Sequence, residues 1–146
     1  MKTIKFMFIA IFAIITVSCQ IDDTPDTNWY TENLEVKERD WKLKGGEFNE
    51  IGSYYECVFY NVPYVDGVIS VYMYNDFGTS AEVQIPLPYT VYGVEDAGDG
   101  SEIYYSIQYS YDIAVDGTIA FKVYVSDYMT GLFHPGTETF RVAIVW

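Results

Sequence analysis

The sequence predicts an all-β domain, an antiparallel β-sandwich of about eight strands, with a small barrel as the alternative. Three observations lead there. The chain holds 15 Tyr, 9 Phe and 3 Trp in 146 residues, and aromatic and β-branched side chains suit a pleated, half-buried surface. No convincing stretch repeats its apolar residues at the helical period, whereas several alternate them at every second position, the period of a strand. Turn residues then punctuate these runs at short, regular spacing.

Each element has its own justification. Residues 29–36 and 40–43 supply the first two strands. Residues 54–62 and 68–75 follow, separated by Pro63, which cannot donate to a ladder, and by Asp66-Gly67. Asn75-Asp76-Phe77-Gly78 turns the chain into 81–87, and Tyr89 and Tyr92 flank a loop after Pro88. The clearest strand is 103–111, where Ile103, Tyr105, Ile107, Tyr109 and Tyr111 alternate with Tyr104, Ser106, Gln108 and Ser110. Residues 118–126 repeat the pattern, with Ile119, Phe121, Val123 and Val125 on one side. Between them, Asp116-Gly117 supplies the positive φ angles of a tight turn, so the two strands pair as an antiparallel hairpin. Residues 137–146 follow Pro135-Gly136 and place Phe140, Val142, Ile144 and Trp146 on a core-facing side. Their uncharged end, 142–146, is also a candidate exposed edge.

The start of the chain reads as an address. Lys2 and Lys5 precede an apolar run at 6–17 too short to span a bilayer, and small residues lead into Cys19. Thr16-Val17-Ser18-Cys19 resembles the lipobox of bacterial lipoproteins, which implies that 1–18 is a cleaved signal peptide and that Cys19 is diacylated as a membrane anchor. Residues 19–28 then form an acidic, Pro-containing tether, leaving 29–146 as a single β domain. Asp22 and Asp23 resemble the export signal of Bacteroidetes-type lipoproteins, although its lysine is missing. The expected location is the outer membrane, facing outward, with its periplasmic face as the alternative.

A formal net charge of −13 argues against nucleic acid as a partner and against anionic membrane surfaces. Lys37, Arg39, Lys42 and Lys44 cluster near the start and read as a solvated strand of alternating charge. With Cys19 assigned to lipid, Cys57 has no partner, and its place within YYECVFY reads as a packed, inert thiol. His134 sits in a turn and reads as a solvated loop residue. The chain carries no Gly-x-Ser-x-Gly elbow, no phosphate-cradling glycine loop and no His/Cys ligand cluster, so the expectation is a non-enzyme without cofactor or metal. The 95–102 loop offers four carboxylates to calcium, but Ala97 stands where an oxygen ligand belongs, and a plain acidic hairpin loop is favoured.

Tyrosine gives the better lead. Tyr104 and Tyr124 lie on polar strand faces, and together with Tyr89 and Tyr92 they are candidate ligand-binding residues able to stack on sugar rings or anchor a protein. Cross-strand tyrosine pairing competes with that role. Trp41 either caps the core or lies on an exposed first strand.

QIPLPYT at 84–90, DGTIAFKVYVSD at 116–127 and PGTETFRV at 135–142 resemble small lipoproteins of gut Bacteroidetes. The resemblance implies an antiparallel sandwich or lipocalin-like barrel at the cell envelope and carries over no catalytic residue. The resulting expectation is a lipid-anchored, non-catalytic envelope protein that binds an extracellular glycan or protein. The alternative is a structural or accessory subunit of a surface assembly.

Overall fold

The computed structural model describes residues 27–63 and 67–146; the leader 1–18, the anchor Cys19 and most of the tether lie outside them. The described chain forms β1 (Trp29–Val36), β2 (Lys42–Lys44), β3 (Tyr54–Phe59), β4 (Val68–Asn75), β5 (Val83–Pro86), β6 (Tyr89–Asp96), β7 (Glu102–Ile113), β8 (Ile119–Val125) and β9 (Glu138–Val145). Two single-turn 3₁₀ segments, Glu38–Asp40 and Ser126–Tyr128, complete it. One sheet has the order β1-β9-β4-β5 and the other β2-β3-β8-β7-β6, with every pairing antiparallel. The two sheets pack face to face as a sandwich and do not close into the alternative barrel.

Alternation puts one side of each strand inward. From β8 come Ile119, Phe121, Val123 and Val125, and from β9 Phe140, Val142 and Ile144, all buried. Phe121 and Phe140 stack across the sheets with ring centroids 4.0 Å apart, and Trp41 meets Phe140 edge-on at 6.3 Å. Cys57 is buried in the same core, where burial pushes its thiol up and keeps it protonated. The hairpin of β7 and β8 forms as expected, with Ile107 opposite Val125 and Ile113 opposite Ile119. Its turn needs glycine: Gly117 has φ +80°, and a Cβ there would lie 2.3 Å from the Val62 carbonyl oxygen.

Two expectations are corrected. The loop expected between Tyr89 and Tyr92 is part of a strand, because β6 pairs with β7 over its full length, from Tyr89 opposite Tyr109 to Asp96 opposite Glu102. Residues 142–145 lie in the interior of a sheet, because β9 is bonded on one side to β1 and on the other to β4. The edges are instead β1, β5, β2 and β6. Of these, β2 has three residues, two of them Lys42 and Lys44, and β5 has four and ends on Pro86, features that discourage further strand addition.

Strand directions define two ends. At the near end lie Trp29, Val68 and Val145, which face one another across the first sheet, and the Gly117 turn, tied to Val62 by a 2.9 Å hydrogen bond. At the far end, about 25 Å away for eight residues of strand, lie Val36, Glu138, the 129–137 segment and the β6–β7 loop.

Candidate functional site

The outward face of the five-stranded sheet carries most of the candidate tyrosines. Register places Tyr124 beside Gln108, Gln108 beside Thr90, and Ser106 beside Tyr92, so these side chains share that face. Tyr104, opposite Val94, belongs to it as well. Tyr92 is 84% and Tyr104 73% exposed. Tyr104 donates a hydrogen bond to Glu102, which raises its phenol pKa and fixes its ring.

The pocket between them follows from unequal strand lengths. β8 ends at Val125, opposite Ile107, whereas β7 begins five residues earlier at Glu102, so the start of β7 pairs with β6 alone. Tyr92, Gly93, Tyr104, Tyr105, Ser106 and Ser126 line a pocket of about 270 Å³ beside this overhang. Gly93 is required there: the Tyr105 ring lies over it, and a Cβ would fall 2.4 Å from the phenol carbon. Ser126 accepts from the Ser106 backbone N–H at 3.0 Å, which ties these two lining residues together. The lining combines two exposed aromatic rings with two serines, which suits a ligand with apolar ring faces and many hydroxyls.

The other two tyrosines separate from this pair. Tyr124 is half-buried and stacks on Tyr54 at 5.1 Å, with Lys122 over the Tyr54 ring, so cross-strand pairing occupies it. Burial raises its phenol pKa. Tyr89 points to the opposite side of β6 and packs against the core. It is corrected from ligand candidate to packing residue, because residues three apart in a strand face opposite ways.

A second concavity at the far end was not expected. Glu35, Lys37, Glu38, Arg39, Trp41, His134 and Thr137 line a cleft of about 590 Å³ where the chain crosses between sheets. Trp41 is buried rather than exposed, and its indole N–H donates to the Gly136 carbonyl at 2.9 Å. His134 is exposed, as a turn residue should be, with its ring edge-on to Tyr55 at 5.0 Å. The cations lie within reach of neighbouring carboxylates, Lys37 at 3.7 Å from Glu35 and Arg39 at 3.9 Å from Asp40. Two acids therefore balance two bases in the lining, and the cleft has no strong preference for either sign of charge.

In the 95–102 loop, Asp96 accepts from the Gly98 N–H at 2.8 Å and Asp99 from the Ser101 N–H at 2.9 Å. These are the local turns that short acidic side chains favour. Among the described residues no group of three or more His, Cys, Asp or Glu side chains could hold a metal ion, and no helix is long and apolar enough to cross a membrane. No protein-family model, curated protein or solved structure matches the chain.

Proposed function

We propose that this chain is a non-catalytic cell-envelope lipoprotein, held in the outer membrane by a lipid on Cys19, that binds an extracellular glycan between Tyr92 and Tyr104. The lipobox-like Thr16-Val17-Ser18-Cys19 supports the anchor, and the segments at 84–90, 116–127 and 135–142 support kinship with small Bacteroidetes-type lipoproteins. The observation that carries the binding role is a pocket lined by two exposed rings, Tyr92 and Tyr104, together with Ser106 and Ser126. Sugars present flat C–H faces to such rings and hydroxyls to such serines.

A glycan array probed with the processed chain tests the proposal. Selective binding should weaken about three- to tenfold in Tyr92→Ala and in Tyr104→Ala, the loss of one stacking contact each, and persist in Tyr124→Ala. Selective binding that ignores both pocket substitutions, or a blank array, would overturn it.

One observation favours the assembly alternative. β6 is an eight-residue edge whose first six positions, 89–94, carry no charge and no proline, unlike β2 and β5. An envelope protein could add a strand there. That reading predicts a molar mass that rises with concentration, or co-purification of a partner lost when Val91 is replaced by Pro.

A further inference from the structure

The near end of the sandwich differs in composition from the rest of the surface. Its segments 28–31, 60–63, 67–70, 114–118 and 143–146 contain one charged side chain, Asp116, in a protein of which 20% is charged. Asp116 is exposed at the hairpin tip, where it accepts from the Thr118 N–H at 2.9 Å. Around it stand Trp29, Tyr60, Val68, Val115, Val145 and Trp146, each exposed, with Trp29 at 70%. Trp29, Val145 and Val68 are neighbours in one row across β1, β9 and β4. Trp146 is fixed beside them by paired backbone hydrogen bonds with Asn28 of 2.8 and 3.0 Å.

The chain also enters the domain here. Eight steps of chain separate Cys19 from Thr27, and their full extension spans about 28 Å at most. We propose that this aromatic end, whose described segments hold Asp116 as their one charge, is a membrane-contact surface that rests in the headgroup region of the bilayer holding the Cys19 lipid. The inference rests on the anchoring reading above and adds to it an orientation. Tryptophan and tyrosine are the side chains that partition to the boundary between lipid and water, where an apolar ring and a polar edge are both satisfied. The far end also exposes Phe48 and Ile51, but these alternate with Glu47 and Glu50 and would resist entering lipid. With the near end down, the β6–β7 pocket is held about one strand length above the membrane.

With no Lys or Arg and one carboxylate in the described near-end segments, the contact gains nothing from anionic lipid, so zwitterionic phosphatidylcholine is the appropriate probe. The processed full chain, purified from a bacterial envelope, is reconstituted into vesicles of that lipid with brominated acyl chains, and acylation of Cys19 is read by mass spectrometry. Bromine should quench Trp29 and Trp146 and spare Trp41, which is buried in the core. The Trp29→Phe, Trp146→Phe double variant should lose the bromine-sensitive emission and keep the rest. Acylated protein whose emission ignores bromolipid but yields to aqueous iodide would overturn the contact while leaving the anchor intact. A chain without lipid on Cys19 would overturn both.

Discussion

The two ends of the sandwich are closed by different means. At the far end the loops are sewn together through side chains. The Tyr55 hydroxyl donates to the Thr130 carbonyl at 2.9 Å, Ser53 and Thr130 hydroxyls meet at 3.1 Å, and the Gly131 N–H donates to Asn49 at 2.8 Å. Trp41 plugs the crossing between sheets beneath them. At the near end the closure is made by backbone, Val62 to Gly117 and Asn28 to Trp146, and the large side chains are left outside. Side chains in the first region hold the fold, while those in the second are free for a surface role.

The two tryptophans offer the widest test of that contrast. Trp41→Ala removes a buried ring and its hydrogen bond and should cost about 3–5 kcal/mol in urea unfolding, whereas Trp29→Ala should change stability by less than about 0.5 kcal/mol. Equal costs would erase the distinction between the ends. A smaller effect comes from the near-end backbone: Gly117→Ala combines a left-handed φ with a collision against Val62 and should cost about 2 kcal/mol or more, read as a lower midpoint of thermal unfolding. A neutral result there would mean that the turn closing this end is not rigid.

The mildest test is one of pH at the far end. Burial raises the Glu138 carboxyl above its ordinary range, partly countered by the 3.3 Å hydrogen bond from Tyr109. The folded state thus holds this proton more tightly than the unfolded chain does. The carboxyl costs nothing at low pH and becomes a penalty as pH rises through the ordinary carboxylate range up to its raised folded value. Glu138→Gln should therefore match the parent at acid pH and exceed its stability at neutral pH. Unfolding curves that differ by the same amount at both pH values would remove the buried carboxylate from the account.

How far these features were legible in the sequence depends on whether their cause is local. The β7–β8 hairpin was legible because its alternation and its Asp116-Gly117 turn lie within one stretch of chain. β6 was not, because Pro88, Gly93 and two terminal acids read locally as a loop, and the ring of Tyr105 that covers Gly93 comes from the next strand. Missing β6 also misassigned Tyr89, which would have been separated from Tyr92 by parity alone. The interior place of β9 was hidden for a different reason: alternation fixes the faces of a strand and not its neighbours. The Trp41 cleft joins 35–41 to 134–137, segments that no local pattern connects.

The placement of β9 between β1 and β4 governs how the chain can be made. Trp29 waits for Val145 and Val68 waits for the same residue, so neither β1 nor β4 finds this shared partner until β9 has been synthesised. Such long-range pairing is slow to form. A product that stops short of β9 leaves two long strands with unmet backbone groups and no Phe140 to stack on Phe121. Closure of this sheet is therefore conditional on β9.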